Sequence, residues 1–85
     1  MASEAFVNAQ KKVNTLDSKP SNEALLKLYA LYKQATEGNV NTERPGGFDF
    51  KGNAKWDAWK KMEGISQEDA EAKYIAFVDE LVDNQ

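Results

Sequence analysis

The spacing of the apolar residues constrains the fold of this chain more than any other feature. In several segments hydrophobic side chains recur at steps of three and four residues, the period of an α-helix, and no strand-like alternation competes with it. The first segment runs through Phe6, Ala9, Val13 and Leu16, and Ser3 is available as its N-cap. The pattern therefore predicts an all-α protein.

Turn signals separate the first helix from the second and the second from a long loop. Pro20 breaks the helical pattern because it cannot donate within a helix, and Ser21 can cap a new start. The second helix is predicted over Asn22–Glu37 and ends at Gly38, a glycine suited to positive φ. Residues 39–50, NVNTERPGGFDF, show no periodicity and predict a loop longer than an ordinary helix–helix connection.

Two further helices complete the predicted architecture. The third begins within FKGNAKWDAWKKME and ends at Gly64, and the fourth opens at Ser66, three residues before Asp69 in a capping-box arrangement. We predict a single domain over residues 1–85, a four-helix bundle with its long loop between the second and third helices. The apolar stripe of the fourth helix comprises Ala70, Tyr74, Phe77, Val78 and Leu81.

The composition excludes several kinds of site. The chain has no histidine and no cysteine, so it lacks the commonest general base, the strongest nucleophile and the usual ligands of zinc. Its acid-rich end lacks the spacing of a calcium loop, and its glycines form no phosphate-loop signature. We therefore expect no catalytic site and no metal site. No long apolar run suggests a membrane span or a secretory signal, and we expect a cytoplasmic protein.

The charges are distributed unevenly along the chain. The net charge is −3, yet between Lys27 and Lys61 seven bases stand against four acids. Between Met62 and Gln85 one base stands against seven acids. A protein of this balance lacks the broadly positive surface that nucleic-acid binding needs. Its basic middle suits a small ligand that carries a few phosphates.

The second helix has more apolar surface than packing on one side requires. At 100° per residue, Leu28 and Leu31 belong to one stripe, while Tyr29, Tyr32 and Lys33 lie on a second arc. Either the helix is central and contacted from several sides, or the second arc lines a binding groove. A protein-docking surface is a further alternative. Lysine beside two phenols favours a ligand with phosphate and ring groups.

The third helix carries a second row of cations. Lys51 and Lys55 stand one turn apart on one face, either as a solvated charged surface or as ligand-binding groups. Trp56 and Trp59 are also three residues apart. Tryptophan is the largest apolar surface that a small domain can bury, so we interpret this pair as core or inter-helix packing.

The run YKQATEGNVNTERPGGFDFKGNAKWDAWK, residues 32–60, closely resembles the signature of the acyl-CoA-binding protein family. The resemblance extends from Phe6 to the segment YIAFVDEL. It implies a cytosolic four-helix protein that binds long-chain fatty-acyl-CoA esters non-covalently and acts as their pool and carrier. It also implies that the chain is not an enzyme. We expect no cofactor, no stable membrane insertion and no nucleic-acid binding. We expect a monomer.

The resemblance further implies roles for individual residues at the nucleotide end of the ligand. Tyr32 would stack on adenine. Tyr29, Lys33 and Lys55 would surround the 3′-phosphate. Lys51 would lie near the nucleotide, and Tyr74 of the last helix would also touch the ligand.

Two residues of the first helix depart from the family pattern. Asn14 stands where many members carry a lysine that helps hold the nucleotide end, and Gln10 is more polar than the alanine common at its position. The resemblance therefore implies a weaker contribution from this helix. The positions that it implies for the acyl-chain groove are Phe6, Ala9, Gln10, Leu25 and Leu26.

Overall fold

The computed structural model describes residues 3–85, and these form four α-helices and no strand. The predicted all-α fold, with its long loop between the second and third helices, is confirmed. The second helix has the predicted bounds, whereas the first ends before Leu16. No helix within residues 3–85 has the length and apolar character needed to cross a bilayer. The helices are α1 (Glu4–Val13), α2 (Asn22–Glu37), α3 (Phe50–Lys60) and α4 (Gln67–Asp83).

Each helix begins at a side chain that accepts a hydrogen bond from the first turn. The hydroxyls of Ser3, Ser21 and Ser66 accept from backbone N–H groups three residues ahead, at 3.2, 3.1 and 3.1 Å. These three caps were predicted. Asp49 caps α3 in the same way, with its carboxylate accepting the N–H of Gly52 at 2.9 Å. Such bonds satisfy donors that a helix start leaves unpaired.

Gly38 ends α2 in a backbone conformation that favours glycine. Its φ of 83° has the predicted positive sign, but its ψ of −150° is extended rather than left-handed helical. A side chain would be strained in this region. The glycine therefore turns the chain sharply out of the helix and into the long loop.

Helix α4 holds the bundle together because α1 and α2 both pack against it. Helix α3 packs against α2, and no Cα atom of α1 lies within 8 Å of one in α2. The gap between these two helices is the main opening in the fold. The buried core lies between α1, α2 and α4 and consists of Phe6, Ala9, Leu28, Leu31, Ala35, Ala70, Tyr74 and Val78.

The two tryptophans fix the long loop to α3. Trp59 is buried and Trp56 is half-buried, in agreement with their predicted packing role. Their indole N–H groups donate to backbone carbonyls of the loop, Trp59 to Gly38 at 2.8 Å and Trp56 to Thr42 at 2.9 Å. The tryptophans therefore hold the loop as well as filling space.

Two polar contacts fix the next part of the loop. The guanidinium of Arg44 donates two hydrogen bonds to the carboxylate of Asp57, at 2.9 and 3.0 Å. The side-chain oxygen of Asn53, a buried residue of α3, accepts the backbone N–H of Gly46 at 2.7 Å. Together with the indole bonds, these contacts attach the loop along most of α3.

The buried amide of Gln34 ties the end of α2 to the start of α4. Its Nε2 donates to Asn39 Oδ1 at 2.9 Å and to the carbonyl of Ile65 at 2.7 Å. Asn39 Oδ1 also accepts the N–H of Gly64 at 2.9 Å. Both ends of the segment that contains the loop and α3 are thus fixed to the same point of α2.

We expect Asn53→Ala to destabilise the fold by about 1–3 kcal/mol, because it leaves the N–H of Gly46 without its acceptor. Chemical denaturation followed by circular dichroism measures the free energy of unfolding. The matched control is Asn22→Ala, at an exposed position in the first turn of α2. Equal stability of the two variants would contradict the assigned role of Asn53.

The ion pair between Arg44 and Asp57 makes stability depend on pH. Its hydrogen bonds hold the pKa of the Asp57 carboxyl below the usual range. The pair's contribution is therefore complete above the unfolded-state pKa of about 3.9 and is lost as pH falls through the lower folded-state pKa.

We expect Arg44→Met to be less stable than the parent at neutral pH and to approach it in acid. The measurement is the free energy of unfolding of both proteins from about pH 7 down through the acidic range in which Asp57 becomes protonated. The control, Lys51→Met, removes an exposed cation from α3. A difference between parent and Arg44→Met that stays constant with pH would refute the pairing.

Candidate functional site

An open cavity of about 500 Å³ occupies the gap between α1 and α2. One wall is the end of α1 and the connection to α2. The other wall is α2 itself, through Leu25, Leu28, Tyr29 and Tyr32, and Tyr74 of α4 lies at the floor. We call this the first cavity.

Three aromatic rings pack together beside the first cavity, and two of them, Tyr32 and Tyr74, line it. Phe6 stacks on Tyr32, with ring centroids 6.1 Å apart and an interplanar angle of 23°. The same ring meets Tyr74 edge-on at 5.0 Å. Phe6 is buried, whereas Tyr32 remains 39% exposed, so Tyr32 presents ring surface to a ligand from a fixed position. Burial, with a smaller contribution from Tyr32, raises the pKa of Tyr74, and its phenol stays neutral at physiological pH.

Two ammonium groups flank Tyr29. This residue lines both the first cavity and a smaller one of about 190 Å³ towards α3. The Nζ of Lys55 lies 5.4 Å from the centroid of the Tyr29 ring. The Nζ of Lys33 lies 4.9 Å from the ring centroid of Trp59, which lines the smaller cavity. The structure therefore groups Tyr29, Lys33 and Lys55 where α2 faces α3.

Lys33 already has an anionic partner on its own helix. Its ammonium forms an ion pair with the carboxylate of Glu37, one turn away. The hydrogen bond to Glu37 is the main cause of the raised pKa of Lys33, and the nearby phenols of Tyr29 and Tyr32 contribute. The ammonium in turn lowers the pKa of Glu37. An anion that approaches Lys33 therefore shares it with Glu37 or displaces that carboxylate.

The structure separates Leu25 from Leu26. Leu25 lines the first cavity, whereas Leu26 lines a second cavity of about 410 Å³ on the side of α2 that faces α3. Consecutive residues of a helix point about 100° apart, which explains the division. The second cavity has an apolar part formed by Leu26, Ala30, Ala54, Ala58 and Met62, and the charged residues Glu23, Lys27, Asp57 and Lys61 also line it.

The remaining predicted positions lie in different surroundings. Phe6 and Ala9 belong to the buried core rather than to the walls of these cavities, and Gln10 is half-buried. Asn14 lines the first cavity, and its side-chain amide donates to the carbonyl of Gln10 at 3.3 Å. Lys51 is exposed, one turn before Lys55.

Sequence reasoning missed three cations at the cavities. Lys19 lines the first cavity, and Lys27 and Lys61 line the second. Lys19 precedes Pro20 in a connection without periodicity, so no helical pattern could place it. Lys27 lies on α2 and Lys61 directly follows α3, but neither belongs to the rows of candidate ligand residues on those helices. Proximity to a cavity depends on tertiary packing in all three cases.

The chemistry of this region is that of a binding site. Within residues 3–85 no group of three or more histidine, cysteine, aspartate or glutamate residues could hold a metal ion. The cavities combine apolar walls with exposed ring surface, phenol groups and ammonium groups. Such a set suits an amphiphilic ligand with an aromatic base, an anionic group and an apolar part.

Comparison with known proteins identifies relatives across almost the whole chain. A family model described as "Acyl CoA binding protein" matches residues 3–78. The acyl-CoA-binding protein of Saccharomyces cerevisiae is 54% identical over 82 residues, which cover 96% of this chain and 94% of the yeast protein. Acyl-CoA-binding protein homolog 1 of Caenorhabditis elegans is 50% identical over 78 residues, which cover 92% and 91% of the two chains.

Solved structures agree with these sequence matches. The crystal structure of Oryza sativa acyl-CoA-binding protein 2 superposes with a TM-score of 0.91 at 51% identity, over 95% of this chain and 90% of that one. The crystal structure of ACBP from Moniliophthora perniciosa gives 0.90 at 43% identity, over 99% and 83%. These are binding proteins rather than enzymes, as the sequence led us to expect. The chain belongs to the acyl-CoA-binding protein family.

Proposed function

We propose that this chain binds long-chain fatty-acyl-CoA non-covalently, one molecule per monomer, and serves as a cytoplasmic pool and carrier. The observation that carries the proposal is the position of Tyr29, which lines both the first cavity and the smaller one, with the ammonium groups of Lys33 and Lys55 nearby. The ligand has matching parts: a base, a phosphorylated ribose and an apolar tail. No cofactor is needed for this function.

In this proposal the adenine ring occupies the aromatic end of the first cavity. Tyr32 offers exposed ring surface for stacking, and its orientation is fixed by Phe6. Base–aromatic stacking typically contributes about 1–3 kcal/mol. Tyr74 at the floor supplies a neutral phenol that can donate a hydrogen bond.

The 3′-phosphate of the ribose binds between Lys33, Lys55 and the hydroxyl of Tyr29. Ammonium–phosphate hydrogen bonds are among the stronger polar contacts in proteins because both partners are charged. The phosphate competes with Glu37 for Lys33, so Lys55 supplies the cation that is not already ion-paired within this cluster. Lys51 adds positive charge one turn away.

The acyl tail runs past the start of α2, where Leu25 and Leu26 lie side by side, into the second cavity. This path places the tail against the alanine-rich surface of α3. Burying methylenes gives roughly 0.8 kcal/mol each, so a 16-carbon tail contributes on the order of 10 kcal/mol before the costs of ordering. The tail therefore accounts for most of the preference over free CoA.

We expect Lys55→Gln to weaken palmitoyl-CoA binding by about 1.5–3 kcal/mol at low salt, the range for a hydrogen bond to a charged group. Titration calorimetry measures the affinity. The variant and the parent should bind palmitoyl-3′-dephospho-CoA with equal affinity, because that ligand lacks the 3′-phosphate that Lys55 holds.

The matched control for this experiment is Lys60→Gln. Lys60 is an exposed lysine of the same helix and is paired with Glu63 at 2.9 Å, outside the cavities described above. If Lys55→Gln weakens binding of the dephospho ligand as much as binding of palmitoyl-CoA, then Lys55 does not act on the 3′-phosphate.

We expect Leu26→Ser to weaken palmitoyl-CoA binding by about 1–3 kcal/mol, since it removes apolar surface from the proposed path of the tail. Free CoA should bind the variant and the parent equally. Calorimetry with acyl-CoAs of six to sixteen carbons measures how affinity grows with tail length, by about 0.8 kcal/mol per buried methylene in the parent. The tail length at which Leu26→Ser begins to bind more weakly than the parent shows where along the tail Leu26 acts. The control is Ile75→Ser, a half-buried position on α4. Parent-like palmitoyl-CoA affinity in Leu26→Ser would exclude the second cavity.

A further inference from the structure

Two phenylalanines of the long loop stand in solvent. Phe48 is 92% exposed and Phe50 is 75% exposed, far more than the other large hydrophobic residues of residues 3–85. Their rings meet edge-to-face with centroids 6.4 Å apart. The two rings thus form one protruding apolar feature, which we call the phenylalanine pair. Paired exposed aromatic rings commonly mark an interaction surface.

The phenylalanine pair is held on a fixed base. The N–H of Phe50 donates to the carbonyl of Phe48 at 2.9 Å, and Asp49 between them caps α3. The preceding part of the loop is attached to α3 through Arg44 and Asp57. Binding through these rings therefore costs little ordering of the backbone, which favours even a small apolar contact.

The charge around the phenylalanine pair differs in sign from that of the whole chain. Residues 38–61, which form the loop and α3, contain five bases and three acids. Lys51 directly follows the pair and is exposed. Helix α4 carries six acids and one base, and it packs against α1 and α2 but not against α3. The segment that bears the rings therefore has a net positive charge, whereas α4, which does not pack against α3, has a net negative charge.

We propose that the phenylalanine pair docks this protein onto anionic phospholipid surfaces. A convex pair of rings beside lysines fits the boundary between lipid headgroups and acyl chains, with the ammonium groups at the level of the phosphates. Two rings and a small local positive charge give weak, reversible attachment. Repulsion between the acids of α4 and the lipids orients the docked molecule with its loop towards the surface.

This docking extends the proposed function. An acyl-CoA is an amphiphile that partitions into bilayers, so a carrier that touches the bilayer with one side meets its ligand there. The other candidate partner is a protein with an apolar groove, into which the two rings alone would also fit. The basic surroundings favour the lipid, because a lipid surface offers many anionic groups at once.

The test is flotation of the parent protein with vesicles, in the absence of any acyl-CoA. We expect binding to phosphatidylcholine vesicles that contain phosphatidylserine, weaker binding to phosphatidylcholine alone, and loss of binding as salt rises. The double variant Phe48→Ser, Phe50→Ser should lose at least about tenfold in partition coefficient, since each ring loses apolar burial. The single variant Phe48→Ser should show a smaller loss of partition coefficient than the double variant.

The matched control is Val7→Ser, which removes an exposed apolar residue from α1, 39% exposed and on a helix that does not contact α3. It should bind vesicles like the parent. All variants should keep the parent's circular dichroism and its affinity for palmitoyl-CoA in solution.

A second measurement locates the contact. The chain has no cysteine, so Phe48→Cys and Glu80→Cys each give a single site for an environment-sensitive fluorophore. On addition of the mixed vesicles we expect a blue shift from the label at position 48 and none from the label on α4. Equal shifts at both sites would overturn the proposed orientation and the role of the pair.

The proposal is overturned if the parent does not float with the mixed vesicles, or if it floats as well without both rings. If the parent does not float, the phenylalanine pair is assigned instead to an apolar groove on a partner protein. Failure of acyl-CoA binding is seen separately by calorimetry without vesicles, so the two proposals are judged by different measurements.

Discussion

The contact of Phe6 with Tyr32 and Tyr74 is the interaction on which the candidate site depends. Helices α1 and α2 approach each other through this ring and not through their backbones. The fully buried ring contacts two tyrosines at once, and both of these tyrosines line the first cavity. A core residue thereby sets the shape of a cavity that it does not itself line.

The sequence left two interpretations of helix α2 open, and the structure shows two different arcs on its surface. Leu28 and Leu31 are buried in the core, as expected of a central helix. Tyr29 and Tyr32 face cavities, and Lys33 lies beside them. A helix with neighbours on two sides can bury one arc and leave the spaces between neighbours for a ligand. Excess apolar surface on a helix is therefore informative about binding only when charged groups interrupt it.

Local signals predicted most of the fold, and tertiary packing decided the rest. The ends of α2 follow from Ser21 and Gly38, which act within their own turns. The loop was predicted by its length and composition, but its attachment to α3 depends on Trp56 and Trp59 reaching carbonyls 14 and 21 residues away. The division of Leu25 and Leu26 between two cavities was also hidden, because it requires knowing that α3 packs on one side of α2.

The indole bonds to the loop have an optical consequence. The Lys33 ammonium lies 4.9 Å from the ring centroid of Trp59, and Trp56 shares the small cavity with Tyr29 and Lys55. No other tryptophan is present in the chain. All of its tryptophan fluorescence therefore originates close to the ammonium groups of the candidate site, and the unlabelled protein carries its own reporter of charge and solvent there.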